Sequence, residues 1–382
     1  MDKIKKIFLI RIPLSICNFR CHYCYLSTHE HKYEGYQPKP VISPENFGKA
    51  FALERVGGPA FANFCADGET LLTADIDLYV KAFVEQGHYA EIVTNLTPTK
   101  VLDKILAFED NLLKRIEFKC SFHYLELKKR NLLDLFVTNV KKIWAAGCSA
   151  NIEITPSDEL VPFIDEIKEL SIREFGALPH ITVARNEATS KMKNLTKLPT
   201  KKYITTWSQF DSDFWKFKYS IFGKAQKSFC YAGSWGYTLN FETGDLNQCY
   251  IGKPIGNMYE DLTSPLPNVP IGRCPESHCH NGHALMSLGF IPRLYSEKYG
   301  DMRDRTKTDG SHWLQPELKA FFNTKLEYSN DELSDTEKKI ILNENVKDKV
   351  KRYIKKDVLP IIPQNTRKKL KKIYYTFNGT KE

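Results

Sequence analysis

Between residues 7 and 185 the sequence alternates six short apolar runs with amphipathic stretches, a rhythm that few folds can accommodate. The runs are Ile7 to Leu14, Phe61 to Ala66, Glu91 to Asn95, Ile116 to Phe122, Asn151 to Thr155 and Ile181 to Arg185. Their length matches buried strands. Helix signals lie between them. Ser43-Pro44 supplies a cap and a first-turn proline ahead of Phe47 and Phe51, and Ile76, Val80, Phe83 and Val84 form a stripe that Gly87 closes. Leu132, Phe136, Val140, Ile143 and Trp144 repeat the pattern before Gly147, and Ser157 precedes Leu160, Phe163, Ile164, Ile167 and Leu170. Strands separated by helices run parallel, so the expectation is an α/β sheet, open or curled into part of a barrel. Ligands then bind at the carboxyl ends of the strands.

Composition narrows the class further. With 42% hydrophobic and 26% charged residues, the chain is neither disordered, collagen-like nor a coiled coil. No run approaches the roughly 20 apolar residues of a spanning helix. Lys3, Lys5 and Lys6 precede an apolar run as in a signal peptide, but Arg11 breaks that run and no small-residue cleavage site follows. The segment therefore reads as a first buried strand of a cytoplasmic protein.

The net charge of +9 is concentrated, because residues 346–382 hold twelve Lys or Arg against three Asp or Glu and the rest is neutral. In that tail Val346, Val350, Tyr353, Ile354 and Val358 form a helical stripe. After Pro360 and Pro363, Leu370, Ile373, Tyr374 and Phe377 interleave with Arg367, Lys368, Lys369, Lys371 and Lys372. A basic amphipathic helix with interfacial aromatics has the form of a peripheral anchor on the inner face of the membrane. A helix docked on the body with a solvated charged face is the alternative. Nucleic acid is disfavoured because no recognition fold accompanies the charge.

Ten cysteines without a secretion signal point to metal or redox chemistry. Cys65, Cys120 and Cys148 sit singly in apolar segments and read as small buried hydrophobes. Cys17-Asn-Phe-Arg-Cys21-His-Tyr-Cys24 follows the first strand directly. Three thiolates so placed can wrap one corner of a cubane iron–sulfur cluster and leave its fourth iron open. A zinc knot with His22 or a distant His is the competing reading.

This triplet, with Tyr23 in its aromatic position, resembles that of the radical S-adenosylmethionine (radical SAM) enzymes, and the resemblance covers about residues 7 to 185. It implies a partial (β/α)6 TIM-like barrel that binds S-adenosylmethionine (SAM) at a [4Fe–4S] cluster held by Cys17, Cys21 and Cys24. Cys65-Ala-Asp67-Gly68-Glu69 stands where the family carries Gly-Gly-Glu to hold the methionine amino group, with Asp67 in place of the first glycine. By the same resemblance Asn95, Ser121 and Arg185 are SAM contacts at strand ends, Ser121 for the methionine carboxylate. His123 and Glu187 are further contacts to nucleoside or substrate.

Cys230, thirteen residues, Gly244, four residues and Cys249 resemble the opening of the SPASM and twitch modules that follow many such barrels, and Gly233 and Ile255-Gly256-Asn257 fit as well. Only Cys274 and Cys279 remain, enough for one auxiliary [4Fe–4S] cluster in a small β-hairpin module. A zinc ribbon using His278, His280 or His283 is the alternative, as is a histidine replacing one cysteine on iron.

The organisation expected is a barrel over 1–188, a connector over 189–229, the auxiliary module over 230–299, a polar extension over 300–345 and the basic helical tail over 346–382. The resemblance implies reductive cleavage of SAM to a 5′-deoxyadenosyl radical, hydrogen abstraction from a substrate C–H bond, and an auxiliary cluster as electron acceptor. A flavodoxin or ferredoxin would be the external donor. Single-auxiliary-cluster members favour oxidation or epimerisation of a sugar-like or cyclitol small molecule. Peptide or protein modification is the alternative substrate class, and a non-catalytic iron–sulfur or zinc protein the alternative of another kind.

Overall fold

Five of the six expected apolar runs become strands, and the sixth contributes only Ile181 to one, in the computed structural model, which describes residues 2–24, 33–186 and 192–353, the side chains of 345–353 excepted. Strands β1 (Lys6–Ile12), β2 (Ala60–Ala66), β3 (Tyr89–Thr94), β4 (Ile116–Ser121), β5 (Ser149–Ile154) and β6 (His180–Ile181) pair parallel in sequence order. Between them run α1 (Pro44–Ala50), α2 (Ile76–Val84), α3 (Thr99–Leu106), α4 (Leu133–Ala145) and α5 (Ile164–Phe175).

Helix α1 starts where the sequence signals it, whereas Ser157 is followed by a 3-10 turn over Asp158–Phe163 and α5 begins only at Ile164. Ser43 caps α1 by accepting from the Asn46 amide, with Pro44 in the first turn. The helices' apolar stripes pack on one face of the sheet. Phe47 of α1, Val80 and Phe83 of α2, and Phe136, Val140 and Ile143 of α4 are all fully buried. Each such side chain contributes roughly 1.5–3 kcal/mol.

The sheet's other face is curled around a cavity. Leu9 and Arg11 of β1, Asn63 and Cys65 of β2, Glu91 and Val93 of β3, Lys119 and Ser121 of β4, and Glu153 of β5 all line it. The two-residue period of each strand thus sends alternate side chains into one polar lumen, the arrangement of a partial barrel.

The connector contains α6 (Thr200–Trp207) and α7 (Asp213–Ile221), which bury Tyr203, Trp207, Phe214 and Trp215. Beyond it β7 (Gly236–Asn240) lies parallel beside β1, and β8 (Asp245–Asn247) and β9 (Pro254–Asn257) continue as an antiparallel meander, so the described sheet has nine strands. The β7–β8 pair is a hairpin inside the expected auxiliary module, but its attachment to β1 extends the barrel sheet itself. A Cβ at Gly236 would stand 2.4 Å from the Ile7 carbonyl oxygen, so only glycine permits this approach.

Residues 299–332 hold α8 (Tyr299–Arg303) and α9 (Pro316–Phe322). Phe321 of α9 stacks on Tyr89 at 3.8 Å between ring centroids, and Trp313 donates to the Phe175 carbonyl at 3.0 Å. Arg303, completely buried, pairs with Glu117 at 2.8 Å, Glu91 at 3.0 Å and Glu153 at 3.2 Å.

The chain forms two compact units, Met1–Glu332 and Leu333–Glu382. The second opens with α10 (Asp335–Tyr353), whose start is a reciprocal box: the Ser334 hydroxyl accepts from the Glu337 amide and the Glu337 carboxylate from the Ser334 amide. Residues 354–382, with most of the expected anchor, lie outside the described residues. Among the described residues no helix is long and apolar enough to cross a membrane.

Candidate active site

The loop that leaves β1 carries the first cysteine triplet across the carboxyl end of the sheet. Two backbone hydrogen bonds fasten it to the turn after β2, Asp67 N to Ile12 O and Glu69 N to Ile16 O, both 2.9 Å. Gly68 lies between them. A Cβ there would fall 2.1 Å from the Ile16 oxygen and 2.9 Å from the Leu14 oxygen, so the loop rests directly on glycine backbone. A turn closed by Cys24 N to Cys21 O, 3.0 Å, shapes its end, and the Phe19 amide donates to the Cys17 sulfur at 3.5 Å.

Cys17, Cys21 and Cys24 line one end of the cavity, which measures about 290 Å3. Burial, reinforced by the neighbouring thiols, pushes Cys17 up to about 11 and Cys21 further up. Cys17, with Arg20 as the cation beside it, and Cys21 hold their protons until a soft metal supplies positive charge. Among the described residues no three His, Cys, Asp or Glu side chains form a group that would hold a single metal ion. The donor set and the glycine cradle beneath it fit a cluster held at one corner by three thiolates.

The other expected contacts gather at the same place. Glu69 is buried, and its carboxylate accepts from Asn95 N at 2.7 Å, Leu71 N at 3.1 Å and the Thr94 hydroxyl. Burial pushes this carboxyl up to about 7, against those three bonds. Glu69 therefore ties the end of β3 to the turn after β2. Asn95 continues the tie, its side-chain amide donating to Asn18 of the cysteine loop at 2.8 Å. The Tyr23 hydroxyl lies 2.7 Å from His123 Nδ1, and burial holds that ring neutral, down at about 4. Ser121 and Arg185 both line the cavity, and Arg185 donates to the His280 carbonyl at 3.0 Å. Glu187 lies outside the described residues.

Asp67 has a reason of its own. Arg11 grips it with Nε and Nη2, the shortest contact being 2.7 Å, so the arginine that interrupts the first apolar run neutralises the acid that departs from Gly-Gly-Glu. Cys120 and Cys148 are buried as expected, whereas Cys65 lines the cavity.

The second cysteine group is assembled by backbone exchange. Cys230 and Gly272 bond reciprocally, at 2.7 and 3.0 Å, while the Gly252 amide donates to Cys249 O and the Gly282 amide to Cys279 O. Gly233 has a φ of +91° and a Cβ there would stand 2.3 Å from the Val269 oxygen, so a side chain is excluded twice over. Burial raises all four thiols, and repulsion from Cys230, Cys249 and Cys274 adds to that of Cys279. His278 and His280 are buried beside them, and neither nitrogen of His280 has a hydrogen-bond partner among the described residues. Tyr250, next to Cys249, and His280, next to Cys279, line the same cavity as the first triplet.

Several cavity residues escape sequence reasoning. Lys119 and Glu153 pair across β4 and β5 at 3.2 Å, Lys218 reaches in from α7 and donates to the Thr182 hydroxyl, and His283 lies fully buried among them. For Lys119 and Glu153 the strand period is the available signal. Lys218 has none.

Neither a protein-family model nor a curated protein sequence matches the chain. Solved structures similar to it include Streptococcus suis SuiB bound to S-adenosylmethionine, at 15% identity over 68% of this chain and 64% of that one, with a TM-score of 0.47. Native anSMEcpe with bound AdoMet is 12% identical over 67% of this chain and 79% of that one, TM-score 0.45. BtrN in complex with AdoMet and 2-DOIA is 14% identical over 68% and 81%, TM-score 0.31. The matched region spans under two thirds of SuiB. Likenesses at this level carry no argument about the site, which stands on its own residues.

Proposed function

We propose that the chain is a radical SAM enzyme in which Cys17, Cys21 and Cys24 hold a [4Fe–4S] cluster with one open iron and Cys230, Cys249, Cys274 and Cys279 hold an auxiliary [4Fe–4S] cluster. One observation carries this reading: a single cavity is lined by the triplet, by the Asp67-Gly68-Glu69 turn and by the neighbours of two auxiliary cysteines. When bound, the two clusters supply, respectively, the electron that cleaves SAM to methionine and a 5′-deoxyadenosyl radical and an acceptor for the substrate's electron.

The chain's own residues provide position and exclusion. Gly68 seats the cysteine loop, Glu69 and Asn95 fix the strand ends around it, and Ser121 takes the methionine carboxylate. Leu9, Val93 and Val183 form an apolar stretch of the cavity wall that helps to exclude water. Because such a radical attacks nearly any C–H bond, selection is by placement of the substrate.

A small polyhydroxylated substrate, oxidised or epimerised, fits the rest of the lining. Asn63, Lys119, Glu153 and Thr182 face the cavity, and the Thr238 hydroxyl there is buried without a hydrogen-bond partner among the described residues. A peptide is the second reading, favoured by no observation on these walls. A flavodoxin or ferredoxin is the proposed electron donor.

Iron and zinc analysis of anaerobically reconstituted protein, with a 5′-deoxyadenosine assay under reductant, tests the proposal. About eight irons per chain are expected, falling to about four when the triplet becomes alanine, with deoxyadenosine formed only by the intact triplet. About four irons with one zinc would reassign the second site to structure, and no iron with no deoxyadenosine would sink the enzyme.

A further inference from the structure

We infer that Lys218, Lys119 and His283 form an oxyanion subsite in the cavity, which takes a phosphate ester or a carboxylate of the substrate. Calling that ligand the substrate rests on the radical SAM reading, whereas the subsite itself rests on the geometry.

Lys218 extends from α7 into the lumen, where its ammonium donates to the Thr182 hydroxyl and has no carboxylate partner within ion-pair distance among the described residues. The nearby acids are already matched. Glu153 binds Lys119 and Arg303, each at 3.2 Å, and Glu91 and Glu117 bind Arg303. Lys119, Arg185 and Arg303 raise the positive potential at Lys218, and Glu153 opposes them. His283 lines the same space with its buried Nδ1 unpartnered.

An ammonium that faces the lumen with no carboxylate at ion-pair distance offers a place to an anion. Consistent with this, burial brings Lys218 down to about 7, so an arriving oxyanion restores its proton. Phosphate and carboxylate both offer the acceptor oxygens that two ammonium groups and an imidazole N–H would bind.

The test uses the reconstituted full chain and sulfosuccinimidyl acetate near neutral pH, with acetylation of Lys218 read by peptide mass spectrometry. Lys216, half-exposed on the same helix, is the internal reference. Inorganic phosphate and acetate are compared with chloride at constant ionic strength. Protection of Lys218 by about tenfold at ten times Kd is expected, with Lys216 unaffected. Protection by phosphate alone assigns a phosphate ester, and protection by acetate as well assigns a carboxylate. Lys119→Gln should weaken the protection and Lys119→Arg restore it.

Absence of protection by either anion overturns the subsite, and protection by SAM alone also overturns it by giving the lysine to the co-substrate. If Lys218 resists the reagent, calorimetric titration of phosphate and acetate into wild type and Lys218→Gln decides, equal heats sinking the proposal. A parallel deoxyadenosine assay separates the two ideas. Protection without deoxyadenosine keeps the subsite and removes the radical reading, while deoxyadenosine without protection does the reverse.

Discussion

At Gly68 the absence of a side chain is a structural requirement of the cysteine loop that rests on it. The Ile16 and Leu14 carbonyls that a methyl would strike belong to the backbone that carries Cys17, and backbone cannot rotate aside as a side chain can. Gly68→Ala should therefore displace the cysteine loop while leaving the auxiliary cysteines, which that loop does not carry, in place. The expected result is a fall from about eight to about four irons per chain, with deoxyadenosine formation lost. Retention of all the iron would mean that the loop has another resting position. The residues legible in the sequence are those whose chemistry depends on local spacing: the triplet, Glu69 and the four later cysteines. Lys218 was not legible, because a lysine on a helix in a polar connector looks the same whether it faces water or a lumen. The Arg11–Asp67 pair is separated by 56 residues, and only the register of β1 on β2 joins it.

At the scale of elements, the six parallel strands were legible because burial on one face demands apolar runs of strand length. Helix α8 was not, because its polar composition reads as a solvated extension, whereas the lumen it enters is itself polar. Arg303 shows the cost of separating the two. Its guanidinium is matched to three buried carboxylates on three strands, and burial already pushes Glu117 up to about 7. Arg303→Met would leave Glu117 without its cation, which costs about 3–5 kcal/mol when one partner of a buried pair is removed. Glu117, already up at about 7, would then have its folded-state pKa raised further above its unfolded one. Its protonated form is tolerated below the unfolded value, so stability is lost as pH rises through the folded pKa. Urea unfolding of Arg303→Met against wild type should show a larger deficit at pH 8 than at pH 6. A deficit independent of pH would assign the loss to packing of α8 and not to charge.

At the scale of the whole chain the decisive quantity is where the charge lies. Residues 346–382 carry the entire excess of +9, so a field that attracts anionic surfaces comes from that segment and not from the neutral remainder. We propose that the tail attaches the enzyme to anionic membrane, with interleaved Leu370, Ile373, Tyr374 and Phe377 supplying apolar contact. Each basic side chain near such a surface contributes about 1 kcal/mol. Attraction of this kind weakens as the screening length shrinks from about 10 Å at 0.1 M salt to about 3 Å at 1 M. Full-length protein should therefore co-sediment with phosphatidylserine vesicles in low salt, be largely released by high salt, and stay in solution when the chain ends at Asn345. Equal sedimentation of the two chains would remove the anchor. Binding to duplex DNA with the same salt dependence, and none to vesicles, would turn the tail towards phosphate backbones instead.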